Sequence, residues 1–152
     1  MYEKILVPID GSHASKRGLT EAIRLAKHHK ARVRLIHVVD EFIVTPTLES
    51  GRYVDEIQNS FRQDGRRLLV KAEALVRKHG ITADSVMFEI VGGHAAEIIV
   101  AQAKKWRADI IVIGTHGRRG VRRLVMGSDA EEVVRTSPVP VLLVRPKRSG
   151  HD

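Results

Sequence analysis

The first apolar run of the chain, Lys4 to Ile9 (KILVPI), is short and rich in β-branched residues. It stops at Asp10-Gly11-Ser12, which supplies turn chemistry and a hydroxyl suited to capping a helix. A strand feeding a helix is the expectation. From Ser15 to His29 the period changes: Leu19, Ala22, Ile23 and Ala26 form one stripe of an amphipathic helix, and Lys16, Arg17, Arg24 and Lys27 occupy the opposite face. Val33 to Val39 reads as a second strand, alternating with Arg32 and Arg34 at its start, then apolar except at His37, and ending at Asp40.

Glu41 to Gly51, with Pro46 and Gly51, has no clear period and reads as a longer loop able to act as a lid. Val54, Ile57, Phe61, Gly65, Leu68, Ala72 and Leu75 then alternate steps of three and four, which predicts a long helix ending near Gly80, with Gly65 its weak point. Ser85 to Val91 is a third strand, Gly92-Gly93 turns the chain, and Ala95, Ile98, Ile99, Ala103 and Trp106 mark another buried helix face. In Asp109 to Ile113 the run of Ile110, Ile111, Val112 and Ile113 lacks polar alternation, as expected of a strand covered by helices on both faces. Ser128 to Thr136 suits a last helix with Ala130, Val133 and Val134 inward, and Val139 to Val144 a last strand, which Pro140 places at a sheet edge. Strict alternation of five strands with helices implies an open, doubly wound parallel α/β sheet with right-handed crossovers. No linker or repeat divides it, so residues 1–146 are expected to form one domain and the basic tail 147–152 to fray.

Composition narrows the function classes. A chain of 152 residues that is 43% hydrophobic and 29% charged is too apolar for disorder. No apolar run approaches the ~20 residues of a membrane helix, and the acidic Glu3 and Asp10 do not suit a secretory leader, so a cytoplasmic location is expected. The absence of cysteine excludes disulfides, thiolate chemistry and cysteine zinc sites. A formal net charge of +8 favours anionic partners, while an aromatic content of 4% leaves few platforms for stacking single-stranded nucleic acid.

In an open α/β sheet the ligand crevice lies beyond the carboxyl ends of the strands, where strand order reverses. The loop after the fourth strand reads Gly114-Thr115-His116-Gly117, nine further residues, then Gly127-Ser128 opening a helix. Glycines allow a ligand close to the backbone, and a helix start offers unpaired N–H groups to an anion. Each glycine alone equally suits a turn, and Ser128 alone equally suits a helix cap. Arg118, Arg119, Arg122 and Arg123 lie within the spacer, where guanidinium groups could fold over a triphosphate or form a solvated basic face. Asp10 suits either a magnesium ion held through water or an Asp-Gly turn. His116 reads as a solvated loop histidine, and the other histidines have no metal-site spacing. Neither GxxxxGK(S/T) nor GxGxxG is present.

Gly114-x-x-Gly117, nine residues, Gly127-Ser128 resembles the G-2x-G-9x-G-(S/T) nucleotide motif of the ATP-binding universal stress proteins. KILVPIDGS, RVRLIHVV, ADIIVIGTHGRRG and SPVPVLLVR resemble that family's segments in the same order over nearly the whole chain. The resemblance implies a five-stranded parallel sheet of order 3-2-1-4-5, of the adenine nucleotide alpha hydrolase type. It also implies ATP between the loops after strands one and four, and dimers formed through the last strand, here Val139 to Val144. Carried over, the ligand shell would be Pro8, Ile9 and Asp10, with Val39 near its base, and Gly114, Gly117, Met126, Gly127 and Ser128 around ribose and phosphates. Arg118 joins that shell as a phosphate contact, with any Mg2+ carried on the phosphates. Asp129 departs from the family pattern, because a carboxylate there repels phosphate unless a cation intervenes.

The expected function is a nucleotide-binding stress-response regulator, with occupancy coupled to dimer state or partner binding. A slow ATPase is the alternative, although no general base with an orienting group is visible and no catalytic residue or resident metal site is assigned. A nonspecific nucleic-acid binder is a third reading, without a recognisable binding motif for sequence-specific contact.

Overall fold

β1 (Lys4–Pro8) lies at the centre of a five-stranded parallel sheet of order β3-β2-β1-β4-β5. The computed structural model describes residues 1–41, 51–115 and 127–146. In chain order β1 is followed by α1 (His13–His29), β2 (Arg32–Glu41), α2 (Gly51–Lys78), β3 (Ala83–Val91), α3 (Ala95–Trp106), β4 (Ile110–Gly114), α4 (Ser128–Thr136) and β5 (Val141–Val144). The segments 42–50, within the expected lid loop, and 147–152, the expected frayed tail, lie outside the described residues.

The order follows from the direction of the crossovers. β1, β2 and β3 step one way across the sheet, and the chain then returns to lay β4 and β5 on the other side of β1. Right-handed crossovers in opposite directions put their helices on opposite faces. One core therefore packs Ile5, Val7, Leu35 and Val112 against Leu19 and Ile23 of α1 and Leu69 and Val76 of α2. The other packs Leu6, Ile36 and Ile111 against Ile99 of α3 and Ala130 and Val133 of α4. Ile110 to Ile113 are all buried, which explains their unbroken apolar run. Each such side chain contributes roughly 1.5–3 kcal/mol on leaving water.

Two helix faces differ from the expected stripes. In α2 the buried positions are Gly65, Leu69, Ala72 and Val76, whereas Ile57 and Leu75 are exposed at 51% and 44%. The expected stripe averages about 3.5 residues per turn and so drifts on a helix of about 3.6, whereas the buried positions 65, 69, 72 and 76 step by four, three and four. In α4, Ala130 and Val133 face inward, but Val134 is exposed. The N-cap of α1 is as expected: the Ser12 hydroxyl accepts the Ser15 N–H at 3.1 Å. β5 begins at Val141, after Pro140, whose carbonyl accepts the Ile111 N–H, and it forms one edge of the sheet.

At the amino end of the sheet, Asp109 Oδ2 accepts the N–H groups of Glu3 and Lys4, both at 2.8 Å, and so ties the start of β1 to the start of β4. That leaves the carboxyl ends free to diverge. Among the described residues no helix is long and apolar enough to cross a membrane.

Candidate functional site

β1 and β4 are neighbours, yet the chain leaves them in opposite directions, to α1 on one face and to α4 on the other. The gap between their ends opens a cavity of about 600 Å3. The strand order reverses at this point, so the cavity sits where the crevice of a doubly wound sheet is expected.

Three helix starts meet on it. Ser12 and Ser15 bring the first turn of α1, Gly93 to Ala95 the first turn of α3, and Gly127 to Ala130 the first turn of α4. The first N–H groups of a helix have no partner within it, and the helix dipole is positive at that end. Three of them around one space favour an anionic group. The floor is apolar, with Pro8, Ile36, Val38 and Ile113 lining it, which suits a ligand that is part apolar and part charged.

The residues expected from the sequence divide into three groups. Pro8, Ile9, Asp10, Gly114, Gly127 and Ser128 all line the cavity. Val39 does not. It is buried, while its neighbours Val38 and Asp40 reach the cavity, because alternate residues of a strand point to opposite faces and the cavity lies on the face of Ile36 and Val38. Gly117, Arg118 and Met126 lie outside the described residues, as do His116, Arg119, Arg122 and Arg123.

Local chemistry places each described residue. Asp10 closes an Asp-Gly turn, its Oδ1 accepting the Ser12 N–H at 2.8 Å, and its backbone N–H donates to Ser15 Oγ at 3.1 Å. Gly114 has a use that the loop pattern did not suggest. A Cβ there would fall 2.6 Å from the backbone of Ala14, so the missing side chain faces α1 and lets that helix start against the end of β4. Gly127 is the N-cap of α4: its N–H donates to the Thr115 carbonyl and its own carbonyl accepts from Glu131 N at 2.9 Å. Thr115 is buried, and its hydroxyl has no hydrogen-bond partner among the described residues.

Three carboxylates, Asp10, Asp40 and Asp129, also line the cavity. Among the described residues no group of three or more acidic or histidine side chains is disposed to hold a metal. Asp129 and Glu131 lie in the first turn of α4, where negative charge complements the dipole and competes with an incoming anion. His94 caps the start of α3 without a side-chain hydrogen bond, its Nδ1 being 3.9 Å from Glu132 Oε2 on α4.

Sequence reasoning missed Ser15, Val38, Asp40, Gly93, His94 and Thr115. Strand parity could have chosen Val38 over Val39. The pair Gly92-Gly93 was visible as a turn, but placing it at the site needed the return crossover of α3 towards β4.

A model of the universal stress protein family matches residues 1–145. A universal stress protein of Methanocaldococcus jannaschii, MJ0531, is 36% identical over 151 residues, covering 97% of this chain and 85% of that protein. Among solved structures, the universal stress protein UspA of Lactobacillus plantarum aligns with a TM-score of 0.82 at 25% identity, over 95% of this chain and 98% of that one. One from Archaeoglobus fulgidus, solved in complex with dAMP, shares the fold with a TM-score of 0.65 at 24% identity, over 94% and 98% of the two chains. A match along almost the entire length, together with the strand order and the crevice at its reversal, makes this chain a member of the universal stress protein family.

Proposed function

We propose that the cavity binds an adenine nucleotide, ATP in the first instance, and that occupancy is a regulatory signal read by a second copy of the chain or by another partner. The observation that carries this reading is the meeting of the starts of α1, α3 and α4 on one cavity at the point of strand reversal. Its volume of about 600 Å3 falls within the roughly 300–1,000 Å3 usual for small-molecule sites. The dAMP held by the Archaeoglobus fulgidus protein of the same fold points to the same ligand class.

In this reading the phosphates lie beside Gly127 at the start of α4, where the N–H groups of Ser128 to Ala130 have no partner within the helix, and Gly117, Arg118 and Met126 complete the shell. Pro8, Ile9 and Asp10 hold the other end of the ligand, with Val38 beneath. Asp10 and Asp129 oppose a bare triphosphate, so Mg2+ enters on the nucleotide. Asp10 would fit that arrangement, since its carboxylate, oriented by the turn through Oδ1, could hold water on the metal.

Native mass spectrometry of the protein purified without added nucleotide, followed by calorimetric titration with MgATP, ADP and AMP, tests the reading. A retained adenine nucleotide, or saturable binding of one of the three, supports it. Absence of both overturns it.

A further inference from the structure

Two residues are out of pattern in the elements that carry them. His37 interrupts the apolar half of β2, and Gly65 interrupts the buried stripe of α2. They account for each other. A Cβ at position 65 would lie 2.7 Å from His37 Cδ2, 3.1 Å from its Nε2 and 3.1 Å from Met87 Sδ, so the helix is notched where the imidazole lies.

The notch aims the ring at the ligand loop. His37 Nδ1 is 2.7 Å from the carbonyl oxygen of Ile9. A carbonyl only accepts, so Nδ1 carries the proton. Ile9 N–H donates to Ile36 O at 2.8 Å, one residue beyond the end of β1. The next N–H, that of Asp10, donates to Ser15 Oγ at 3.1 Å. The carbonyl of Ile9 and the N–H of Asp10 belong to a single peptide group, which is therefore held at both ends, by a side chain from β2 and by one from α1.

We infer that His37 and Ser15 are positioning residues that clamp the Ile9–Asp10 peptide and so fix the direction in which Asp10 enters the cavity; for ligand affinity this rests on the nucleotide reading above. Fixing this peptide constrains ψ of Ile9 and φ of Asp10, and the Asx turn to Ser12 then directs the carboxylate. With the clamp released, the loop must be ordered when the ligand binds, and affinity falls by the cost of that ordering. His37 itself lies on the α2 side of the sheet, with Leu35, away from the Ile36 and Val38 face that lines the cavity. Its effect on the ligand is therefore indirect.

Two substitutions separate positioning from bulk stability. His37→Phe keeps a ring in the notch and removes the donor. His37→Asn keeps an amide N–H near the position of Nδ1 and leaves space beside Gly65. The clamp predicts that His37→Phe weakens MgATP binding about tenfold, the upper end for one lost hydrogen bond, and speeds hydrogen exchange of the Asp10 amide. His37→Asn should recover most of that affinity while melting at a lower temperature than wild type. If affinity simply follows melting temperature through both variants, or if His37→Phe keeps wild-type affinity and wild-type protection at Asp10, the inference is overturned. Should His37→Phe fail to fold, Ser15→Ala releases the other end of the same peptide and must speed exchange at Asp10, or the clamp is refuted. The exchange measurement needs no ligand, so a wild type that binds no nucleotide refutes the site reading while the clamp is still decided.

Discussion

Arg34 and Asp84 stand opposite each other on β2 and β3 and join as a two-pronged pair, with Nε donating to Oδ1 at 2.7 Å and Nη2 to Oδ2 at 2.8 Å. The guanidinium also lies over the ring of Trp106, 4.7 Å from its centroid, so one side chain links two strands to the end of α3. Hydrogen bonding to Arg34, reinforced by the charges of Arg34, Arg32 and Arg77, holds the Asp84 carboxyl below its ordinary range against the opposing effect of burial. In the unfolded chain the same carboxyl titrates near 3.9. The pair therefore contributes stability that is present above about that pH and is lost as pH falls through the lower native value.

Asp84→Asn tests that sign. The carboxylate is 45% exposed, so solvent screening keeps the loss near neutral pH to about 1 kcal/mol or less. Urea unfolding near neutral pH and again near pH 3 should show the gap between variant and wild type closing in acid. A gap independent of pH would mean that the pair contributes through shape alone.

Gly114→Ala should disturb the site without touching a ligand. The new Cβ would lie 2.6 Å from the carbonyl carbon and oxygen of Ala14 and 2.9 Å from Ser15 N, all backbone atoms that cannot rotate away. Overpacking of this kind costs about 1–3 kcal/mol, and at this chain length each kcal/mol lowers the melting point by roughly 2–4 °C. Gly18→Ala, whose Cβ would meet Gly114 N at 3.3 Å, should cost less. Thermal unfolding of the two variants checks the order. Equal stability would show that α1 has room to slide along β4.

These cases show what a sequence reading reaches and where it stops. The alternation of strands and helices and the face of α1 were legible because apolar period acts locally: Ile110 to Ile113 and the Leu19 to Ala26 stripe required no knowledge of distant residues, whereas the strand order was implied only by the family resemblance. Gly114 was legible as important but not for its reason, since the pattern cannot say whether an absent Cβ faces a ligand or a helix. His37 and Gly65 each looked like a flaw, and only their juxtaposition across β2 and α2 makes them a pair. Ser15, Gly93 and His94 come to the cavity from different elements, so no spacing along the chain could connect them.

The edge strand bears on the proposed dimer. β5 ends the sheet with Leu142 39% exposed and Val141 and Leu143 half-buried, and an uncovered apolar edge invites pairing with another chain. A second copy pairing along the segment Val139 to Val144 would cover it. Leu142→Arg should then give a monomer by light scattering at micromolar concentration where wild type is a dimer. A dimer that survives the substitution puts the interface elsewhere, and a monomeric wild type ends the proposal.

Gly127 provides the most direct test of the phosphate site. Its φ of −56° and ψ of 146° are open to any residue, so Gly127→Val does not strain the backbone as a left-handed position would. The N–H groups at the start of α4 can hold phosphate oxygens only if the chain approaches to about 3 Å, and a branched side chain at 127 obstructs that approach. The expected result is MgATP affinity reduced at least about tenfold, or about 1.4 kcal/mol, with circular dichroism and melting point close to wild type. Ser128→Ala should do less, because it removes one hydroxyl and leaves the backbone donors in place. Calorimetry distinguishes the outcomes. If Gly127→Val binds as tightly as wild type, Gly127 only shapes the turn into α4, and the phosphates must be sought at the start of α1 or α3.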